Sequence, residues 1–194
     1  MKVGFSSTIR QPKDRVQSGT LPSHLDQRSP EWANQEWNPC SSFFFGSKGI
    51  VHKEFVPPGQ TVNQTFYLQV LECLRKRVRR IRGEIADKWF LHHDNAPSYT
   101  SFAVREFLAQ NKITTLPHPP YSPDLAPCDF FLFSKLKTHL KGHHFGTVEN
   151  VQAAATRALN NISSEDFLHC YEEWQQRWNC CIRSQGAYFE GDKL

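Results

Sequence analysis

Residues 89–133, WFLHHDNAPSYTSFAVREFLAQNKITTLPHPPYSPDLAPCDFFLF, decide how the rest of the chain is read. Trp89-Phe90-Leu91 is an apolar run too short for a helix and bounded by Pro97, so it reads as a buried strand that ends near Asp94. Val104, Phe107 and Leu108 recur at helical spacing behind Ser98 or Thr100 as a cap, and Ile113–Leu116 reads as a second short strand. Pro117, Pro119, Pro120, Pro123 and Pro127 then stiffen the approach to Asp129. Asp129 opens an apolar helix over Phe130 to Leu140, where free N–H groups and the helix dipole favour a carboxylate. If the two strands lie side by side, Asp94 and Asp129 emerge at one edge of one sheet. Two carboxylates converging there suit Mg2+ or Mn2+, which prefer oxygen ligands. A two-metal site of that kind activates and stabilises oxygens in phosphoryl transfer. The residues alone leave a plainer reading open, in which Asp94 starts a turn with Asn95 and Asp129 caps a helix.

Working outward, Gly49–Val56 alternates, is rich in β-formers and stops at Pro57-Pro58-Gly59, the pattern of a strand and turn. Ser42–Phe45 fits a preceding strand, with Gly46 at a turn position. Thr61 and Gln64 have capping-box spacing, and the helix behind them carries Phe66, Val70, Leu74, Val78 and Ile81 near one face, with Tyr67 and Leu71 widening it. Its last turns, RKRVRRIR at 75–82, are basic, and Gly83 ends it. That run, Arg75, Lys76 and Arg77 foremost, has three readings: a solvated face complementing the dipole, phosphate-backbone contact, or a nuclear-import signal. Lys135 and Lys137, on or beside the exposed side of the helix after Asp129, are further candidates for nucleic acid. His92 and His93 read as one core residue and one residue facing the cleft. Thr147 and Ser163 or Ser164 cap two more helices, the last with Phe167, Cys170, Tyr171, Trp174, Trp178 and Cys181 at helical spacing, a core stripe. Strands alternating with helices give an α/β class: a mixed sheet with helices on both faces and a helical C-terminal extension.

The strings HDNAP (93–97) and YSPDLAPCDFFLF (121–133), with 34 residues between Asp94 and Asp129, resemble the mariner family of DNA transposases. GIVHKEFVPPGQTVNQTFYLQVL (49–71), VREFLAQN (104–111) and YFEGD (188–192) are similar to that family too, as is the mariner part of a known fusion with a SET-domain methyltransferase. The resemblance is strong from Gly49 to the C-terminus, patchy over residues 27–48 and undetectable before that. It implies an RNase H-like fold and a three-aspartate, two-metal (Mg2+ or Mn2+) site for DNA strand cleavage and transfer. Asp94 and Asp129 would be its second and third carboxylates. In the family the first aspartate stands in a Gly-Asp-Glu-Thr-Trp-like strand upstream of a stretch similar to QRSPEW (27–32). No such motif precedes Gln27, and the neighbours of Asp26 do not reproduce it.

The expectation is therefore an incomplete catalytic domain over 42–194 behind an irregular segment 1–41, its N-terminal strand missing or degraded. The metal site would be incomplete and the enzyme inactive or crippled. The alternative is a co-opted, non-enzymatic DNA-binding or protein-interaction domain. The family's helix-turn-helix modules are not found in the sequence, and its dimer clamp is cut down to ANQEWNPC (33–40), which would weaken a homodimer.

Composition bounds the rest. At 194 residues with net charge +4, the chain suits one domain with an ordinary core. Its six cysteines show neither a disulfide ladder nor a C-x-x-C zinc pair. No apolar stretch has the length of a membrane span. With no apolar leader after Met1, reduced thiols in the cytosol or nucleus are expected, and the resemblance to DNA transposases implies a nuclear location.

Overall fold

The computed structural model describes residues 3–8, 41–57, 60–143 and 145–186. A five-stranded sheet runs through the middle: β1 (Val3–Thr8), β2 (Ser41–Gly46), β3 (Gly49–Phe55), β4 (Phe90–His92) and β5 (Thr114–Leu116). The strands lie in the order β3-β2-β1-β4-β5. β1 pairs antiparallel with β2 and parallel with β4, and β4 pairs parallel with β5.

Period-two alternation in β2 assigns its aromatics to two cores. Phe43 and Phe45 face one side with the Cys128–Phe133 turn and helices α4 (Ser134–Leu140), α5 (Val148–Asn160) and α6 (Ser164–Arg183). Phe44 faces the other, with α1 (Gln64–Ile81), α2 (Pro97–Thr100) and α3 (Phe102–Gln110). Phe43, Phe44 and Phe45 are each buried to 2 % exposure or less, so this strand anchors both layers.

Central β1 corrects the expectation of a missing opening strand: the strand is there, and residues 3–8 belong to the sheet that was expected to start at 42. Its sequence, VGFSST, carries little apolar signal, because its order comes from pairing with neighbours on both sides. The strand also carries no Asp or Glu. Asp26, the shortened clamp at 33–40 and the terminal YFEGD lie outside the described residues.

Local details sharpen the other elements. The cap of α1 is Asn63, whose side chain accepts from the Phe66 N–H at 2.9 Å, rather than Thr61. Phe66, Tyr67, Val70, Leu71, Leu74 and Val78 of α1 are buried, while Ile81 at its frayed end is exposed. Neither Ser98 nor Thr100 caps α3; Ser101 holds that position without a side-chain bond. The α6 start is a full capping box between Ser163 and Asp166. Lys135 of α4 reaches Asp166 at 2.6 Å, clipping α4 to α6. Among the described residues no helix is long and apolar enough to cross a membrane.

Candidate active site

Asp94 stands two residues past the end of β4. Its Oδ1 accepts from the Ala96 N–H at 3.1 Å, a local turn that fixes the carboxylate on its backbone. The next side chain, Asn95, donates through Nδ2 to the His118 carbonyl at 2.7 Å. That bond ties the Asp94 loop to the proline-rich loop that follows β5.

The helix expected over Phe130 to Leu140 is two elements: a π-helical turn at Cys128–Phe133 running into α4. A π turn inserts an extra residue per turn, a distortion frequent at functional sites. Asp129 sits in its first turn, its N–H donating to the Ala126 carbonyl at 2.9 Å. Buried Leu125, Ala126, Pro127 and Cys128 fix the approach. The indole of Trp174 donates to the Leu125 carbonyl at 3.0 Å, and Arg177 to that of Asp124 at 3.3 Å, so α6 braces the loop from below.

Asp129 feels the charge of Asp94. Partial burial, then the negative charge of Asp94, hold the Asp129 carboxyl above the usual carboxylate range, while Lys137 pulls it back. Asp94 and Asp129, 35 positions apart in the chain, are thus electrostatic neighbours, with Lys137 acting on the second.

Neither histidine before Asp94 is exposed, against the expectation that one would face the cleft. His92 and His93 are both buried, on opposite faces of the strand. His93 Nδ1 lies 3.0 Å from the Tyr67 hydroxyl in the α1 core. His92 packs edge-on to Trp174, and its Nε2 lies 3.3 Å from His118 Nδ1. Burial first, then the neighbouring imidazoles, push His92 down to about 3; burial, then His118, push His93 to about 4. Both are neutral at physiological pH. His118 is lowered by burial while Asp94 and Asp124 raise it, which places it beside the cleft. The sequence pattern alone did not single out His118. Its only signal was its place among the prolines leading to Asp129.

The remaining expected residues divide. Lys137 is exposed next to Asp129. Lys135 is engaged with Asp166 and lies over the Phe131 ring at 5.4 Å, so it has a structural employment that its sequence position did not suggest. Arg75, Lys76 and Arg77 lie toward the far end of α1. Arg77 donates to the Val51 carbonyl at 3.3 Å, and Lys76 is exposed. Tyr67 is the α1 residue that meets His93, the neighbour of Asp94, and Arg75 is eight residues further along, about 12 Å of helical rise. The structure does not bring the basic run to the carboxylates.

Asp94 and Asp129 form an oxygen pair whose mutual repulsion a divalent cation would relieve, so they fit one such ion. They do not fit two. Among the described residues no group of three His, Cys, Asp or Glu side chains is arranged to hold a metal. The reason lies in β1. Phe5 pairs with His92, where β4 ends, and the β1 residues beyond it, Ser6, Ser7 and Thr8, include no carboxylate.

The family model of the DDE superfamily endonucleases matches residues 50–152, more than half of the chain. This chain belongs to the DDE superfamily endonucleases. The chain is 34 % identical over 151 residues to the Mariner Mos1 transposase of Drosophila mauritiana, covering 76 % of this chain and 44 % of that protein. It is 25 % identical over 179 residues to the Histone-lysine N-methyltransferase SETMAR of Homo sapiens, covering 84 % of this chain and 26 % of that one. The chain thus spans about a quarter to a little under half of these two relatives.

Among solved structures, the Mos1 transposase catalytic domain with raltegravir and Mn superposes at a TM-score of 0.73 with 33 % identity, covering 77 % of this chain and 76 % of that one. The same domain has been solved with Mg. A pre-cleavage Mos1 transpososome matches at 0.77 with 26 % identity, covering 97 % and 57 %. The DDE domain is thus homologous to a mariner-type transposase catalytic domain with an RNase H-like fold.

Proposed function

We propose that this chain is a DNA-binding domain of mariner transposase descent in which strand cleavage is crippled. The observation that carries the proposal is a central strand, VGFSST, that has no carboxylate, paired with the strand that leads to Asp94, whose charge Asp129 feels. Asp94 and Asp129 would hold one Mg2+ or Mn2+, the ions named in the Mos1 structures. A bound ion would supply positive charge to a phosphate and lower the pKa of a water. Without a third carboxylate the charge of a second ion is under-compensated, and two-ion catalysis, which stabilises both attacking and leaving oxygens, is not supported.

What the chain's own residues offer is positioning. The Asn95–His118 bond and the bonds from Trp174 and Arg177 hold the two acidic loops in register, and Lys137 gives a phosphate an electrostatic partner on the rim. The exposed cations of α1 would follow the DNA backbone further out, and the same run would serve nuclear import. DNA is the substrate class because the Mos1 relatives include a pre-cleavage transpososome and a paired-end complex.

The test combines DNA binding with Mn2+-dependent nicking of supercoiled plasmid. Binding that survives Asp94→Ala and Asp129→Ala, with no nicking by the natural chain, is expected. Nicking by the natural chain that either substitution abolishes would overturn the crippled-enzyme reading and establish a working nuclease.

A further inference from the structure

Three non-glycine residues adopt a left-handed backbone among the described residues: Lys112, Tyr121 and Gln185. Lys112 and Gln185 directly follow the C-caps of α3 and α6, where the left-handed conformation is the usual way to end a helix. Tyr121 ends no helix. It stands at φ +56° in the middle of the proline-rich loop, and its side chain is fully exposed, at 102 % of its reference area. A bulky aromatic in this conformation is strained, and strain that persists is found where the surroundings over-determine the backbone.

Here the surroundings do so. On one side, His118 is held by Asn95 at 2.7 Å. On the other, Ser122 donates to the Pro120 carbonyl at 3.1 Å, and the loop is pinned to α6 through Asp124 and Leu125. Tyr121 is three residues from His118, whose carbonyl is bonded to Asn95, the neighbour of Asp94. Three residues of chain span at most about 11 Å. A large aromatic ring is therefore presented to solvent, on a braced backbone, in a loop tied to the Asp94 turn. A lone ring among prolines and a serine makes no apolar patch of the size that protein partners cover. It does match the recurring device for an unpaired nucleobase, an aromatic face that accepts any base beside a phosphate-binding cation.

We propose that Tyr121 is a stacking platform for an unpaired nucleobase at the end of a DNA strand delivered to the Asp94–Asp129 cleft. The proposal rests on the DNA-binding reading above and adds the form of DNA preferred: a frayed or overhanging end rather than a blunt duplex.

The experiment titrates the chain, in Ca2+ buffer, against a blunt duplex and against the same duplex with a three-nucleotide 3′ overhang carrying 2-aminopurine. Tighter binding of the overhang and quenched 2-aminopurine fluorescence are expected. Tyr121→Ala should lose about 5- to 150-fold in overhang affinity with blunt binding unchanged, and Tyr121→Phe should keep both. Tyr121→Gly separates stacking from folding: glycine suits the left-handed backbone, so its thermal midpoint should not fall, yet it should lose the overhang preference as alanine does. Equal overhang affinity for the natural chain, Tyr121→Ala and Tyr121→Gly, with blunt duplex still bound, would overturn the stacking role alone. No binding of either DNA by the natural chain would overturn the DNA-binding reading and the stacking role together.

Discussion

If the shortfall in the metal site is a matter of one side chain, Ser7→Asp should make it good. Ser7 pairs with Phe43 across β1 and β2, and it stands two residues past Phe5, the partner of His92, as Asp94 stands two residues past His92. Neighbouring strands lie about 4.8 Å apart. Two carboxylates at about 5 Å repel by about 1 kcal/mol in a water-like medium and about 3 kcal/mol at an effective dielectric of about 20. In a chain of this size each kcal/mol moves the midpoint by about 2–4 °C, so metal-free Ser7→Asp should melt about 2–12 °C below the natural chain. An ion at one hundred times its dissociation constant returns about 2.7 kcal/mol, so Mn2+ should restore most of that difference. The assay is thermal unfolding at pH 7 in EDTA and in Mn2+, alongside plasmid nicking, which should appear only in the variant. Ser6→Asp is the control: Ser6 pairs with Phe44, which belongs to the opposite core, so its destabilisation should not respond to metal. The reasoning fails if Ser7→Asp melts like the natural chain in EDTA, or if Mn2+ rescues both variants equally.

The other expectations concern single groups. Asp129 is raised in the folded state, so it binds protons that the unfolded chain has released; its contribution makes the fold less stable as pH rises from the ordinary carboxylate value through its folded pKa. Asp129→Asn should raise the midpoint at pH 7 and leave it nearly unchanged at pH 3, as thermal melts across that range would show. Asp166 is shifted the other way by its bond to Lys135, then by Ser163, so its stabilisation is present above the ordinary carboxylate value and lost as pH falls through its lowered pKa. Ser163→Ala removes the α6 cap and should cost about 0.5–2 kcal/mol by urea unfolding. In DNA titrations, Lys137→Ala should weaken binding while Lys135→Ala leaves it unchanged and lowers stability by at most about 1 kcal/mol. Neutralising Arg75, Lys76 and Arg77 together should reduce the slope of log affinity against log salt by about 0.9 for each phosphate that the chain ceases to neutralise; an unchanged slope would leave the basic run a solvated face.

What the sequence disclosed follows from where the physical signal is local. The α1 stripe, the β3 alternation and the serine cap of α6 are periodic or short-range, and the structure places each close to its expected span. The Asp94–Asp129 pairing was expected on the mariner resemblance and its spacing, since the residues alone left a turn and a helix cap as the plainer reading. β1 was not legible at all: six residues with three hydroxyls look like tail, because pairing on both edges stabilises them rather than their own propensity. The π turn at Cys128–Phe133 was hidden for the opposite reason, since CDFFLF has the apolar density of an ordinary buried helix and hydrogen-bond register leaves no mark on composition.

These two hidden features bear directly on the chemistry. A domain without its central strand would expose the edges of β2 and β4 to self-association, and loss of catalysis would then be a by-product of misfolding. Because β1 is in place, the sheet is continuous and the cleft keeps its form: Asp94 on its turn, Asp129 on its π turn, His118 and Trp174 bracing the loops between them. The Asp129 carboxyl is still held high, by burial first and then by the charge of Asp94, an electrostatic cost that a cation would offset. On the function proposed above, keeping that repulsion with Lys137 near Asp129 and Tyr121 exposed is what a surface that receives a DNA strand would do, whether or not it cuts.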